Sequence, residues 1–314
     1  MIPIAINIDD HTPFIHLFRY HVNPPYTSDG RLLTDTIPIE FFDRFCSVCE
    51  KHGISGKLSY VPAPACKGDV ARGIDGFNGD ELAEWKKMAL ERLGDKFSFG
   101  PEMISHHNAY NTSDGSWYDI NEDNWSRMGQ TTETLTPYIT HALNILHDAD
   151  IPATGVTSPW MFCETVEDEY RQAIALSMRE VYGADRAWYF IHTREEWPEK
   201  TEPIPGFKLY SVSATIDDSF WATLRTDKTD REFIESIADT YITSDGKQGS
   251  MIECIAKGLP IVFLAHWQCL FSNGLGTGLS VLELIASRVN EHLADKVQWM
   301  SFDELIDYTE KRRS

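Results

Sequence analysis

The sequence contains no run approaching the roughly 18 apolar residues that a membrane-spanning helix requires. It also lacks the opening pattern of basic residues followed by an apolar stretch that marks a secretory signal, so a cytoplasmic location is expected. Basic residues are scarce. There are 28 Lys and Arg against 48 Asp and Glu, a net charge of −20. Such a surface repels phosphate backbones and anionic headgroups, which argues against nucleic-acid and membrane partners. With 20 glycines and 15 prolines in 314 residues, the chain is too poor in both to be disordered. Of the six cysteines, Cys46 and Cys49 form a C-x-x-C, but no second pair exists to complete a zinc site. They lie in a helical pattern and read as free thiols. There is no internal repeat and no low-complexity tract.

What is present is alternation. Apolar runs with strand character cover 3–10, 56–62, 96–106, 153–160, 186–192, 207–216 and 260–266, with an eighth candidate at 296–300. Helical patterns at 39–52, 80–93, 135–149, 166–182, 231–241, 250–257 and 279–293 separate them. Glycines at 53, 94, 183 and 258 stand where helices should stop. This rhythm predicts βα units and an α/β fold with a parallel sheet, a distorted (β/α) barrel of seven strands or eight. A single domain over 1–314 is expected, with long connections at 63–79 and 108–134. The second connection carries Trp117, Tyr118 and Trp125, which argues for an ordered segment.

In parallel α/β folds the chemistry lies at the C-terminal strand ends. Those ends here carry Asp9-Asp10, then Glu102 and His106-His107, Ser158-Pro159-Trp160, His192, Asp217-Asp218 with Trp221, and His266-Trp267. Acids and imidazoles suit metal ligation or proton transfer, and tryptophans suit stacking on a sugar face. His11, His16 and His21 fall in a proline-broken segment and read as solvated or structural.

These residues resemble the polysaccharide deacetylases of the NodB-homology type (carbohydrate esterase family 4). The strand end Asn7-Ile8-Asp9-Asp10 is similar to their first motif, and Glu102 with His106 to part of the second. Thr157-Ser158-Pro159-Trp160, Asp217-Asp218-Ser219-Phe220-Trp221 and Leu264-Ala265-His266 follow in the family's order. Tyr110 stands where the family has a second histidine, and no arginine precedes Pro159-Trp160. The resemblance implies a metal-dependent hydrolase removing an N- or O-acyl group from a carbohydrate. Asp9 would be the base and His266 the acid. Asp10 and His106 would hold a divalent metal such as zinc, with His107 and Asn111 as candidates to complete the set. Trp160, Asp217, Asp218 and Trp267 would bind substrate. Self-association is left open. Two alternatives remain: a glycoside hydrolase pairing Asp9 or Asp10 with Glu102 or Asp217, and an inactive carbohydrate-binding barrel.

Overall fold

The computed structural model describes residues 1–313. Each of the seven apolar runs forms a strand: β1 (Ile2–His11), β2 (Gly56–Tyr60), β3 (Phe97–Pro101), β4 (Gly155–Thr157), β5 (Arg186–Phe190), β6 (Lys208–Ser211) and β7 (Ile261–His266). Most are shorter than their runs, because the last residues leave the ladder to build loops at the site.

The strands pair in parallel as β7–β1–β2–β3 and as β4–β5–β6, with Glu199–Thr201 added antiparallel on β6. Single parallel bridges join the two sheets, Phe99 to Ala153 and Glu102 to Thr157 at one seam and Ile216 to Phe263 at the other. The strands therefore follow barrel order, but no continuous ladder closes the ring among the described residues. The eighth run forms β8 (Val297–Trp299), which pairs with Ile2–Ile4 at the start of β1, away from the site.

Period-2 alternation sorts β1. Ile4, Ile6 and Ile8 join the large core under the helices, while Ala5 packs with Trp188, Tyr210, Val262 and Phe302. Helix α1 (Ile39–His52) buries Phe41, Phe42, Phe45 and Cys49 on one face and stops at Gly53, whose φ of 68° is costly for any other residue. Gly94 does not act this way. Its φ is −55°, and glycine is needed there because a Cβ would sit 2.4 Å from the Leu90 carbonyl oxygen.

The interior is layered. At the bottom, a Cβ at Gly155 would lie 2.2 Å from the Trp188 ring, so glycine makes room for that indole. The C-terminal helix Phe302–Arg313 closes this end with Phe302, Leu305 and Ile306. Above lies a fully buried polar layer of Asn7, Lys57, Ser59 and Thr157. The connection 108–134 is ordered, as its aromatics suggest, into a hairpin (Asn108–Tyr110 with Trp117–Asn121) and the helix Glu122–Ser126. No described helix is long and apolar enough to cross a membrane.

Candidate active site

The C-terminal strand ends open into one cavity of about 740 Å³, lined among others by Asp9, Asp10, Glu102, His106, Trp160, His192, Trp221, His266 and Gln268. Parallel strands deliver these distant residues to a shared mouth. Three of them, Asp10 (φ 62°), His106 (φ 51°) and Trp160 (φ 48°), sit in the left-handed region that side chains disfavour. Such positions cost roughly 1–3 kcal/mol each and concentrate at functional sites.

Asp10 is the hub of the floor. Its backbone N–H donates to Glu102 Oε2 (2.6 Å), and Gln268 Nε2 donates to its Oδ2 (2.5 Å). His106 Nε2 lies 2.8 Å from Asp10 Oδ1 and 3.3 Å from Glu102 Oε1. Burial alone would raise the Asp10 carboxyl, but the charge and hydrogen bond of His106, with His266 and His21 behind it, hold it well below the usual carboxylate range. Glu102 goes the other way. Burial and the nearby Asp10 and Asp9 charges push it up to about 7. Two carboxyls in contact with one imidazole thus differ in protonation near neutral pH.

Asp9 faces down into the polar layer. Lys57 Nζ forms a buried ion pair with its Oδ1 and also donates to Ser59 Oγ (2.9 Å) and Thr157 Oγ1 (2.8 Å). Ser59 Oγ lies 3.0 Å from the same Asp9 oxygen.

On the opposite wall His266 Nδ1 lies 2.6 Å from Asp218 Oδ2. Asp218 Oδ1 accepts the Phe220 N–H (2.6 Å), which fixes the carboxylate. Burial disfavours the imidazolium, yet the Asp218 hydrogen bond and the Asp10 and Asp9 charges raise His266 to about 9. Trp221 packs 4.8 Å from the His266 ring, and Trp160 packs 4.1 Å from the His106 ring.

The expected residues divide accordingly. Asp9, Asp10, His106, His266 and Trp160 line the cavity. Asp218 does not; it holds His266 from behind. Asp217 points to solvent and caps the Asp218 N–H. Trp267 is no platform: it is buried among Phe41, Phe42, Phe45 and His11 because α1 covers it. His107 lies outside the cavity, in a bend beyond the strand where its N–H donates to Ser105 Oγ (2.9 Å). Asn111 Oδ1 accepts the Ser113 N–H within the 108–121 hairpin, also outside it.

His21 departs from its expected structural role. It lies on the short helix Phe18–His21, stacks on His106 at 4.7 Å and lines the cavity, where burial and the His106 charge push it down to about 3. Gln268 stands at the seventh strand end and Lys57 within the second strand, but neither carries an expected role from sequence. The one available trace of Lys57 is its place two residues before Ser59, on the same face of β2.

Asp10, Glu102 and His106 are the described group able to offer three ligand atoms to a metal ion, all within 4.8 Å of one another.

Neither a family model nor a curated protein matches the sequence. Solved structures do. A 4-alpha-glucanotransferase from Thermococcus litoralis aligns with 97% of this chain and 40% of its own, at 11% identity and a TM-score of 0.44. A GH57-type branching enzyme from the hyperthermophilic archaeon Pyrococcus horikoshii aligns with 98% of this chain and 70% of its own, at 10% identity and a TM-score of 0.51. The chain therefore spans two-fifths of the first structure's length. Similarity to the branching enzyme at this identity shows a shared fold; activity has to be argued from the site. The resemblance to NodB-type deacetylases does not hold: no family model supports it, and the structure that shares the fold is a GH57-type branching enzyme. The metal dependence implied by that resemblance gains no support from these comparisons.

Proposed function

We propose that the chain is a carbohydrate-active hydrolase that cleaves a glycosidic bond with the Asp10–Glu102 carboxyl pair. One observation carries this reading. Asp10 is held ionised and Glu102 is raised to about 7, side by side at the floor of an aromatic-walled cavity. Carboxyls whose environments push their pKa values apart are the arrangement that glycoside hydrolysis needs. Trp160 and Trp221 offer flat apolar faces of the kind that stack on sugar rings. Among the alternatives open from sequence, Asp217 drops out because it faces solvent.

In this mechanism Glu102 gives its proton to the glycosidic oxygen as the C–O bond breaks. The Asp10 carboxylate attacks the anomeric carbon and forms a glycosyl ester. Glu102, now ionised, takes a proton from water as that water attacks the same carbon, which frees Asp10 and restores the protonated Glu102. One oxygen of each carboxyl lies within 4.8 Å of the other, short of the roughly 6.5–9.5 Å that an inverting enzyme needs for its water, which favours the retaining course. His266, charged at neutral pH, is available to hydrogen-bond a sugar hydroxyl through the nitrogen Asp218 does not engage.

The test is hydrolysis of a panel of glycosyl fluorides and oligosaccharides by wild type, Asp10→Asn and Glu102→Gln, with and without EDTA. Both variants should lose at least about 10²-fold in kcat, the lower end for a positioned acid or nucleophile. Because the protonated form of Glu102 is the active one, wild-type activity should fall as pH rises through about 7, and Glu102→Gln should lack that limb. Full activity in Glu102→Gln overturns the proposal. So does loss of activity in EDTA, which would hand the Asp10–Glu102–His106 group to a metal ion.

A further inference from the structure

A second hollow, of about 400 Å³, adjoins the active-site cavity. The two share Phe18, Val22 and Trp221 in their linings. Beyond this wall the hollow is bounded by Tyr26, Leu224 and Arg225. Trp221 connects them physically. Its ring packs 4.8 Å from His266 on the catalytic side and 5.3 Å from Phe18 at the junction.

From this continuity we infer a flanking sugar subsite: the substrate is an oligosaccharide, and a residue next to the cleaved one sits between Trp221 and Tyr26. The inference rests on the glycosidase reading for the identity of the ligand. Its chemistry follows from the walls. Tyr26 is 47% exposed, a large ring left open to solvent beside an aromatic partner. Aromatic rings with a polar edge suit a ligand that is apolar on its faces and hydroxylated on its rim. Arg225 is exposed, and among the described contacts its guanidinium has no carboxylate partner, so its fork of donors is free for ring hydroxyls. Ser28 Oγ donates to the Arg225 carbonyl (3.2 Å) and links the Tyr26 segment to the Trp221–Arg225 helix. A purely apolar ligand would leave the rim donors unmatched.

Glycosyl fluorides and oligosaccharides separate the two sites, because a single sugar bearing fluoride fills only the reactive position. The assay compares kcat/KM of wild type, Tyr26→Ala and Arg225→Ala on both substrates, alongside oligosaccharide affinity read from tryptophan fluorescence. Tyr26→Ala should lose about tenfold in kcat/KM and affinity on oligosaccharides, the size of one aromatic contact, and remain within about twofold on fluorides. Arg225→Ala should behave likewise. Equal loss on both substrates, or no loss on oligosaccharides, overturns the subsite while the glycosidase reading stands. Oligosaccharide binding that Tyr26→Ala weakens, with no turnover of any substrate, keeps the subsite and overturns the glycosidase. A wild type that neither binds nor hydrolyses removes both.

Discussion

Lys57 shows how much of the site depends on a residue that looks misplaced in the sequence. A lysine in the middle of an apolar run normally marks a solvent-facing edge, since lysine is almost never fully buried without a partner. Here the partner is Asp9, which approaches from the neighbouring strand, β1, 48 positions earlier in the chain. Removing one member of a buried pair leaves the other charge stranded, at a cost of about 3–5 kcal/mol. Lys57→Met should therefore lower unfolding free energy by that amount in urea titrations. Adding Asp9→Asn should recover part of the loss, because the stranded charge is then gone. A Lys57→Met protein within about 0.5 kcal/mol of wild type, the scatter expected for an ordinary surface substitution, would show that the pair does not organise the interior. The acids and histidines at the strand ends were legible because their positions follow from topology. Lys57 and Gln268 were not, since each gains its role only from a partner that sequence spacing does not reveal.

Elements deliver the site through their connections as much as through their strands. The segment after β3 carries His106 at a positive φ, and a fully buried Glu122 from the next connection holds it there. Glu122 Oε1 accepts the N–H groups of Ile104 (2.9 Å) and Ser105 (3.2 Å), and Oε2 accepts that of His106 (2.7 Å). Tyr138, on the helix Thr132–Asp148, donates its hydroxyl to Oε1 (2.6 Å). Glu122→Gln keeps the shape but turns one acceptor into a donor facing N–H groups. It should cost about 1–3 kcal/mol, whereas Tyr138→Phe, which removes one donor, should cost about 0.5–1.5. Activity should follow the same order, because His106 shifts only when its own loop loosens. Denaturant curves and kcat for the two variants check this, and equal effects would refute the clamp. The sequence does suggest that 108–134 is ordered, through its aromatics. It gives no sign that one carboxylate there reaches back to three consecutive amides, since such a clamp has no periodicity.

At the scale of the whole molecule, barrel order was readable from the alternation of runs, while the two loose seams were not, because they depend on how few residues pair at each edge. The same burial that builds the interior sets how stability responds to pH. His11 and His16 are buried, His21 is half-buried, and all three are held neutral; burial drives His11 well down, His16 to about 4 and His21 to about 3. The unfolded chain takes up protons on these histidines below its own pKa of about 6.5 while the native protein does not, so their stabilisation is lost as pH falls. Glu102 works against this, since at about 7 it holds its proton in the native state and favours folding at lower pH. Burial raises Glu122, Asp218 and Asp303 as well, but it also lowers His107 and His141, so five imidazoles face four carboxyls and the histidines prevail between about pH 4.5 and 6.5. Above that window the direction reverses. His266, raised to about 9, and His106, raised by Asp10 and Glu102 against its burial, bind protons in the native state that the unfolded chain has released. The contribution of His266 is complete below about 6.5 and is lost as pH rises through about 9, and His106 acts in the same direction. The melting temperature should therefore peak near pH 6.5 and fall on both sides. His21→Phe should flatten the acidic side, because a neutral ring then replaces one that must be kept from protonating. Calorimetry between pH 5 and 9 decides the matter: a melting temperature that rises steadily across the range would mean that the buried histidines do not govern the balance.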